Sequence, residues 1–354
     1  MRASARFPLT AVGDVNTYAL FAEHAHSLLA PTGRAGIIVP TGIATDDSTK
    51  AFFANTMLSQ TLERLIGFEN EAFIFPEVHN EFKFCAFTMT GKNMKISRAH
   101  FIFLCRYFDQ INQKERHFEL TREDLKLLNP NTLTCPVFRT HIDAELTKKI
   151  YQRAPVMLDE KRSLSPWDIT YMRMFDMAND SGLFRSKEQM IKEAFEIGGN
   201  TFRKMESFYS PVYEAKMFWQ YDHRFASLVG VENAGHRPSR KYEGWYGVVA
   251  DDPAELPIPR YWINLQDVRA RVTERWNKKW LLGFRRVANI VTERTSIFCL
   301  LPLAGMSDSI FLLLPKSPQS LPMACLLATT NSLTFDYVTR QKLGGNNLNF
   351  FVVN

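Results

Sequence analysis

Glu214-Ala215-Lys216 sets a carboxylate and an amine two residues apart, directly after Pro211-Val212-Tyr213. In a metal-dependent nuclease such a pair helps hold the ion and position the attacking water, but a further metal-binding aspartate is needed on a neighbouring strand. Nothing before Pro211 reads as Pro-Asp at the expected spacing, so Lys216 is read as a phosphate contact on a structural or DNA-facing strand. Asp222-His223-Arg224 offers an acid, an imidazole and a cation. Adjacent side chains on a strand point to opposite faces, so Asp222 and His223 are not a ready-made dyad. Arg224 suits a phosphate, and His223 a structural hydrogen bond. In Thr292-Glu293-Arg294-Thr295, Arg294 can read guanine, hold a phosphate bidentately or pair with a carboxylate such as Glu293, with Thr295 beside it.

The run Arg340-Gln341-Lys342-Leu343-Gly344-Gly345-Asn346-Asn347 combines basic residues at a helix end, two glycines and two amides. Glycines let backbone approach closely, and Arg340, Lys342, Asn346 and Asn347 could then face bases or phosphates. The same basic residues would offset the helix C-terminal dipole, with Gly344 as the cap. Phe75 stands at a strand end, where it can stack on an unpaired base or fill the core. His79 reads as a solvated loop residue.

These residues need elements to position them. Apolar residues from Asn16 to Leu29 recur at helical spacing, with Asp14 or Asn16 available as N-cap. Ala35 to Val39 is an uninterrupted apolar run, as in a parallel strand covered on both faces. Ser48 to Leu58 predicts a helix, Leu62 to Phe68 and Phe82 to Met89 strands. Helix, strand, helix, strand, strand is the closing half of a doubly wound α/β sheet whose last strand can be antiparallel. Further on, Phe101 to Phe108 and Glu119 to Leu128 are amphipathic. Helices are expected at Asp143 to Gln152, Lys187 to Glu196, Arg271 to Lys279 and within Met323 to Thr339, and two core strands within Ile297 to Leu314. The character of the chain changes near residue 105, giving expected domains of 1–105 and 106–354.

Hydrophobic residues make up 45% and charged residues 23% of the 354 positions, which excludes a disordered chain. A net charge of +6 leans toward a polyanionic partner. The five cysteines stand singly, without disulfide or zinc spacing, and fit a reducing cytoplasm. The apolar run from Ile297 is broken by Pro302 and Asp308, so no membrane span is expected.

The order of several short segments carries a resemblance. Asp14-Val15-Asn16-Thr17-Tyr18-Ala19-Leu20-Phe21, Gly33-Arg34-Ala35-Gly36-Ile37-Ile38-Val39-Pro40 and Ile74-Phe75-Pro76-Glu77-Val78-His79 are followed by Met177-Ala178-Asn179-Asp180, Tyr213-Glu214-Ala215-Lys216 and Asp336-Tyr337-Val338-Thr339-Arg340. Together they resemble the type IIG-like adenine-specific DNA methyltransferases of restriction–modification systems. The resemblance implies the closing half of a Rossmann-like methyltransferase sheet followed by a mixed α+β target-recognition domain. It places Phe75 near the extruded base and makes double-stranded DNA the partner. The family's donor is S-adenosylmethionine, seated on a Gly-rich turn, and an Asn-Pro-Pro-aromatic loop holds the adenine. Neither motif stands here: Glu243-Gly244-Trp245-Tyr246-Gly247, Leu164-Ser165-Pro166-Trp167 and Asn129-Pro130-Asn131 all depart from the pattern. The expectation is a fragment without catalysis or donor binding of its own, either a truncated gene product or a piece that serves a separate N-terminal methyltransferase chain. Its orphaned central strand would then become an edge that self-associates. A stand-alone specificity subunit and a protein-interaction module are the alternatives.

Overall fold

The computed structural model describes residues 6–13, 15–193, 195–228, 245–247, 255–272, 275–316, 319–343 and 345–353. Asp14 and Gly344, read above as caps, and Glu243-Gly244 lie outside the described residues. The chain divides into two compact units: Met1–Leu164 with Gln341–Gly344, and Ser165–Arg340 with Gly345–Val353. Among the described residues no helix is long and apolar enough to cross a membrane.

The first unit contains helices α1 (Thr17–Ser27), α2 (Gly42–Thr45), α3 (Lys50–Leu58), α4 (Arg122–Leu128) and α5 (His141–Arg153). Its strands are β1 (Arg34–Pro40), β2 (Leu62–Glu69), β3 (Lys83–Thr90), β4 (Ala99–Cys105) and β5 (Phe118–Leu120). They form one sheet in the order β1-β3-β2-β4-β5. β3 is antiparallel to both β1 and β2, so those two run parallel, and β4 runs parallel to β2. One row across the inner face is Ile37, Phe87, Leu65, Phe101 and Phe118, aligned by register. It packs on α3 through Phe52 and Phe53 and on α4 and α5 through Leu125, Leu128 and Ala144. Burying such large side chains supplies about 1.5–3 kcal/mol each, which makes this face the chief stabiliser of the unit. Gly91 has a steric reason for its identity. A β-carbon there would overlap the Ala30 and Pro31 carbonyls, and the Gly91 N–H donates to the Gly33 carbonyl at 2.9 Å, closing the sheet's end.

Two expectations are corrected. The compact division falls at Leu164, not near residue 105, because β5, α4 and α5 fill the same core as the strands before them. β1 is not covered on both faces. It is an edge strand whose burial alternates, with Val39 inside and Ile38 65% exposed. An open edge carrying an exposed branched side chain is a template for strand pairing. Ile38→Lys is therefore expected to weaken self-association about tenfold or more by sedimentation velocity, while thermal stability stays within about 0.5 kcal/mol, as for other exposed positions. A wild-type chain that is monomeric at high concentration would remove the premise.

The second unit is mixed α and β. Its strands are β6 (Ile169–Met172), β7 (Glu196–Gly198), β8 (Thr201–Lys204), β9 (Ser207–Tyr213), β10 (Ala226–Leu228), β11 (Trp245–Gly247), β12 (Trp262–Asn264), β13 (Trp280–Arg285), β14 (Phe298–Pro302), β15 (Gly305–Met306) and β16 (Ile310–Pro315). β14-β13-β16-β6 form one antiparallel sheet, β12-β9-β8-β7 another with β15 beside β9, and β10 pairs with β11. The helices are α6 (Lys187–Lys192), α7 (Leu265–Val272), α8 (Ser320–Thr330), α9 (Leu333–Lys342) and α10 (Phe350–Val353). The apolar run from Ile297 does give two core strands, β14 and β16, flanking β13. Of the helix expected at Arg271 to Lys279, α7 contains Arg271 and Val272 and buries Val268 and Val272, residues 273–274 lie outside the described residues, and Trp276 packs edge-on against Trp280.

Candidate nucleic-acid interface

In the first unit the three parallel strands send their carboxyl ends, Pro40, Glu69 and Cys105, to one edge of the sheet. Ligands of open α/β sheets bind in the crevice outside the carboxyl ends of such strands. At this edge lies the connection from β2 to β3, and one buried side chain organises it. Asn70 is fully buried; its Nδ2 donates to the Phe75 carbonyl at 3.0 Å and the Val78 carbonyl at 2.8 Å, and its Oδ1 accepts the Phe75 N–H at 2.9 Å. Its own carbonyl accepts the Phe73 N–H at 2.8 Å, and its N–H donates to the Phe82 carbonyl at 3.1 Å. Every polar atom of this amide is thus engaged, as burial demands.

The loop so tied holds aromatic rings outward. Phe75 meets Phe84 edge-on at 4.8 Å, Phe84 stacks on Phe68 at 5.2 Å, and Phe108 from the segment after β4 meets Phe68 at 5.6 Å. Phe73 (54% exposed), Phe82 (62%) and Phe108 (64%) stand in solvent, Tyr107 is exposed, and Phe75 is 37% exposed. Phe73 also has φ +52°. A bulky side chain rarely adopts that left-handed conformation, and such strain concentrates at functional sites. Beneath the rings, the largely buried Glu69 carboxylate takes Arg106 at 3.0 Å and Lys83 at 3.8 Å, and Arg106 also reaches Glu71 at 2.8 Å. The cations here are neutralised, so the edge offers ring faces rather than phosphate contacts. Only Phe75 of this group was singled out from sequence. Phe82, Tyr107 and Phe108 carry no pattern of their own, because their meeting depends on β2 and β4 being neighbours.

The turn after β1 does not fit a donor seat. It holds one glycine, Gly42, and the space where its β-carbon would stand is taken by the Asp46 carboxylate, with the Tyr18 hydroxyl next nearest. Burial pushes the Tyr18 phenol up to about 12, helped by the Asp46 charge.

In the second unit the sequence-derived candidates separate. Arg340 and Thr295 are not available to DNA. Thr295 is buried, its N–H donating to Asp336 Oδ1 at 2.7 Å and its hydroxyl to the Asn289 carbonyl at 3.0 Å. Arg340 spends its guanidinium on Asp336 Oδ2 at 2.8 Å and on the carbonyls of Ile290, Thr292 and Glu293 at 2.6–2.8 Å. Its fork locks the 290–293 loop to α9, which is why it faces inward. Arg294, carried on the same loop, makes no hydrogen bond through its guanidinium among the described residues, and its Nη1 is enclosed without a partner. Lys216 is exposed on the 3-10 turn Ala215–Met217. Beside it, Glu214 pairs with Arg260 at 3.5 Å, and burial raises its pKa against the pull of Arg260 and Lys216. No group of three or more metal-binding side chains occurs among the described residues. Asp222 to Arg224 form a turn rather than a strand, the Asp222 carboxylate accepting the Arg224 N–H at 2.8 Å. Burial lowers the His223 pKa, with Arg224 adding to it. Asn346 and Asn347 are exposed, and their backbone is pinned to 287–288 by the Ala288 N–H bond to the Asn346 carbonyl at 3.2 Å and the Val287–Asn347 bridge. In the first unit, Lys342 rests its amine 5.4 Å above the Tyr151 ring.

No family model and no curated protein matches the chain. Among solved structures, a chain from the type I R-M system is similar over 33% of this chain and 31% of its own, at 16% identity and TM-score 0.27. The type IIG restriction endonuclease BpuSI is similar over 98% of this chain and 42% of its own, at 12% identity and TM-score 0.36. The chain spans less than half the length of either solved chain.

Proposed function

We propose that the chain is the DNA-recognising part of a site-specific adenine DNA methyltransferase of the restriction–modification type. In this reading the first unit supplies the closing half of the methyltransferase sheet and the second unit reads the target. The observation that carries it is the gathering of exposed rings at the carboxyl edge of three parallel strands, with an antiparallel strand between β1 and β2. An extruded base has lost its stacking partners, and a ring face restores them. Phe75, held by Asn70, is the ring assigned to that base. Lys216, Arg224, Arg294, Asn346 and Asn347 are assigned to the duplex.

Methyl transfer is not assigned to this chain. The sequence has no Asn-Pro-Pro-aromatic loop, and the one glycine turn after β1 is filled. Both the donor seat and the loop that polarises the adenine amine then come from a separate methyltransferase chain, with S-adenosylmethionine bound there. The test uses duplexes with 2-aminopurine at an unpaired position. Stacking on a base contributes about 1–3 kcal/mol, so Phe75→Ala should raise Kd for the unpaired duplex roughly tenfold and leave the fully paired duplex nearly unchanged. Equal affinity of wild type and variant for the unpaired duplex would refute the assignment of Phe75.

A further inference from the structure

Arg285 is a cation at the end of β13. No carboxylate pairs with it among the described residues. Its Nε donates to the Phe218 carbonyl at 3.1 Å, and Nη2 donates to the same oxygen. Aromatic faces surround the rest: the guanidinium carbon lies 4.8 Å from the Trp219 ring centre, 5.6 Å from Phe218 and 5.8 Å from Phe225. Trp219 and Phe225 are themselves stacked at 5.2 Å. A guanidinium in this setting loses much of its hydration, and cation–π attraction replaces only part of it. Burial pulls its pKa down to about 10, and it remains a cation at neutral pH.

A buried cation is ordinarily paired. Here one donor group, Nη1, makes no hydrogen bond among the described residues and is not enclosed by them. The turn that walls the cage carries Arg224 and two exposed rings, Tyr221 and Phe225, and Tyr221 is held at φ +65°. The turn is closed by the Trp219 N–H bond to the Asp222 carbonyl at 2.8 Å.

We infer that Arg285 Nη1, framed by Trp219 and Phe225, is a binding site for a phosphodiester oxygen of nucleic acid. The fixed fork and its aromatic walls would make the site rigid before the ligand arrives. Specificity for sequence is not expected, since a phosphate carries none. This rests on the DNA-binding reading above and adds one contact to it.

The experiment compares wild type with Arg285→Gln and Arg285→Lys, each first checked by thermal melting, for duplex DNA affinity from 50 to 300 mM salt, about the range where phosphate contacts dominate. Arg285→Gln should weaken binding several-fold for every sequence tried and lower the slope of log K against log salt by about 0.9, one phosphate contact. Arg285→Lys should keep most of the slope. An unchanged slope in Arg285→Gln overturns the site while leaving DNA binding intact. If wild type binds no duplex, the site is read separately with inorganic phosphate, following the Arg285 side-chain N–H resonances. A phosphate-dependent shift in wild type that is absent in Arg285→Gln upholds an anion site without the DNA reading, and no shift ends the proposal. Should Arg285→Gln fail to fold, the Arg285→Lys slope and the wild-type phosphate titration decide alone, with no resonance shift counting against it.

Discussion

Replacing Asp336 by alanine should lower the stability of the second unit by about 3–5 kcal/mol, the cost of removing one partner from a buried ion pair. The side chain is 6% exposed and gathers four donors: the N–H groups of Thr295 and Ser296, the Ser296 hydroxyl and Arg340 Nε. Alanine leaves those donors enclosed and Arg340 without its counter-ion. For a unit of this size the expected fall in Tm is about 10 °C. Arg340→Met should cost less, because the carboxylate keeps its backbone donors. It should also leave the salt slope of DNA binding unchanged, since its guanidinium is consumed inside the protein. Equal losses for the two variants would contradict this hierarchy.

The same carboxylate gives a pH signature. Burial alone would raise its pKa, but the Ser296 N–H, Arg340 and the Thr295 N–H outweigh it, and the net shift is downward. A depressed folded pKa means stabilisation that is complete above the unfolded value, near pH 4, and lost as pH falls through the folded one. Wild type should therefore lose its advantage over Asp336→Ala below about pH 4. A gap between their melting temperatures that stays constant down to pH 2 would show that the carboxylate's charge is not the cause.

The second large effect is expected for Asn70→Asp, which changes shape little and chemistry much. Asparagine donates to the Phe75 and Val78 carbonyls while accepting the Phe75 N–H. A carboxylate would face two carbonyl oxygens in a fully buried place, and a protonated acid could serve only one of them. The loop should open locally at a cost of about 3 kcal/mol, so protection of the Phe75 amide against hydrogen exchange should fall about a hundredfold. Since Phe75 is held by this side-chain amide, while Phe73 and Phe82 bond the unchanged Asn70 backbone, affinity for the unpaired duplex should fall about as far as in Phe75→Ala. Retained amide protection would mean that Asn70 does not organise the loop.

Local signals explain what could be read in the sequence. The strands at Leu62 and Lys83 announced themselves by apolar runs bounded by turns. Thr121 and Thr140, each followed three residues later by aspartate, form the capping boxes that start α4 and α5. What was hidden is non-local. The sheet order that turns Ile38 outward, and the extension of the first unit to Leu164, depend on which strands become neighbours. The same holds for the site. Phe75 was visible from its place in the order of segments, whereas Asn70 has no signal beyond being a polar residue between two strands. Arg340 and Thr295 misled because a basic helix end and an Arg-Thr pair look alike whether they meet phosphate or a buried aspartate. Arg285 sits in an ordinary strand sequence, and only the rings brought from 218–225 make it unusual.

The most direct test of the central claim is fluorescence anisotropy of the purified wild-type chain titrated into labelled duplex DNA at several salt concentrations, without methyl donor. Saturable binding is expected, with log K falling linearly in log salt at a slope equivalent to several phosphate contacts. No binding at 50 mM salt, or binding with a slope near zero, about what a partner other than the phosphate backbone would give, would contradict it.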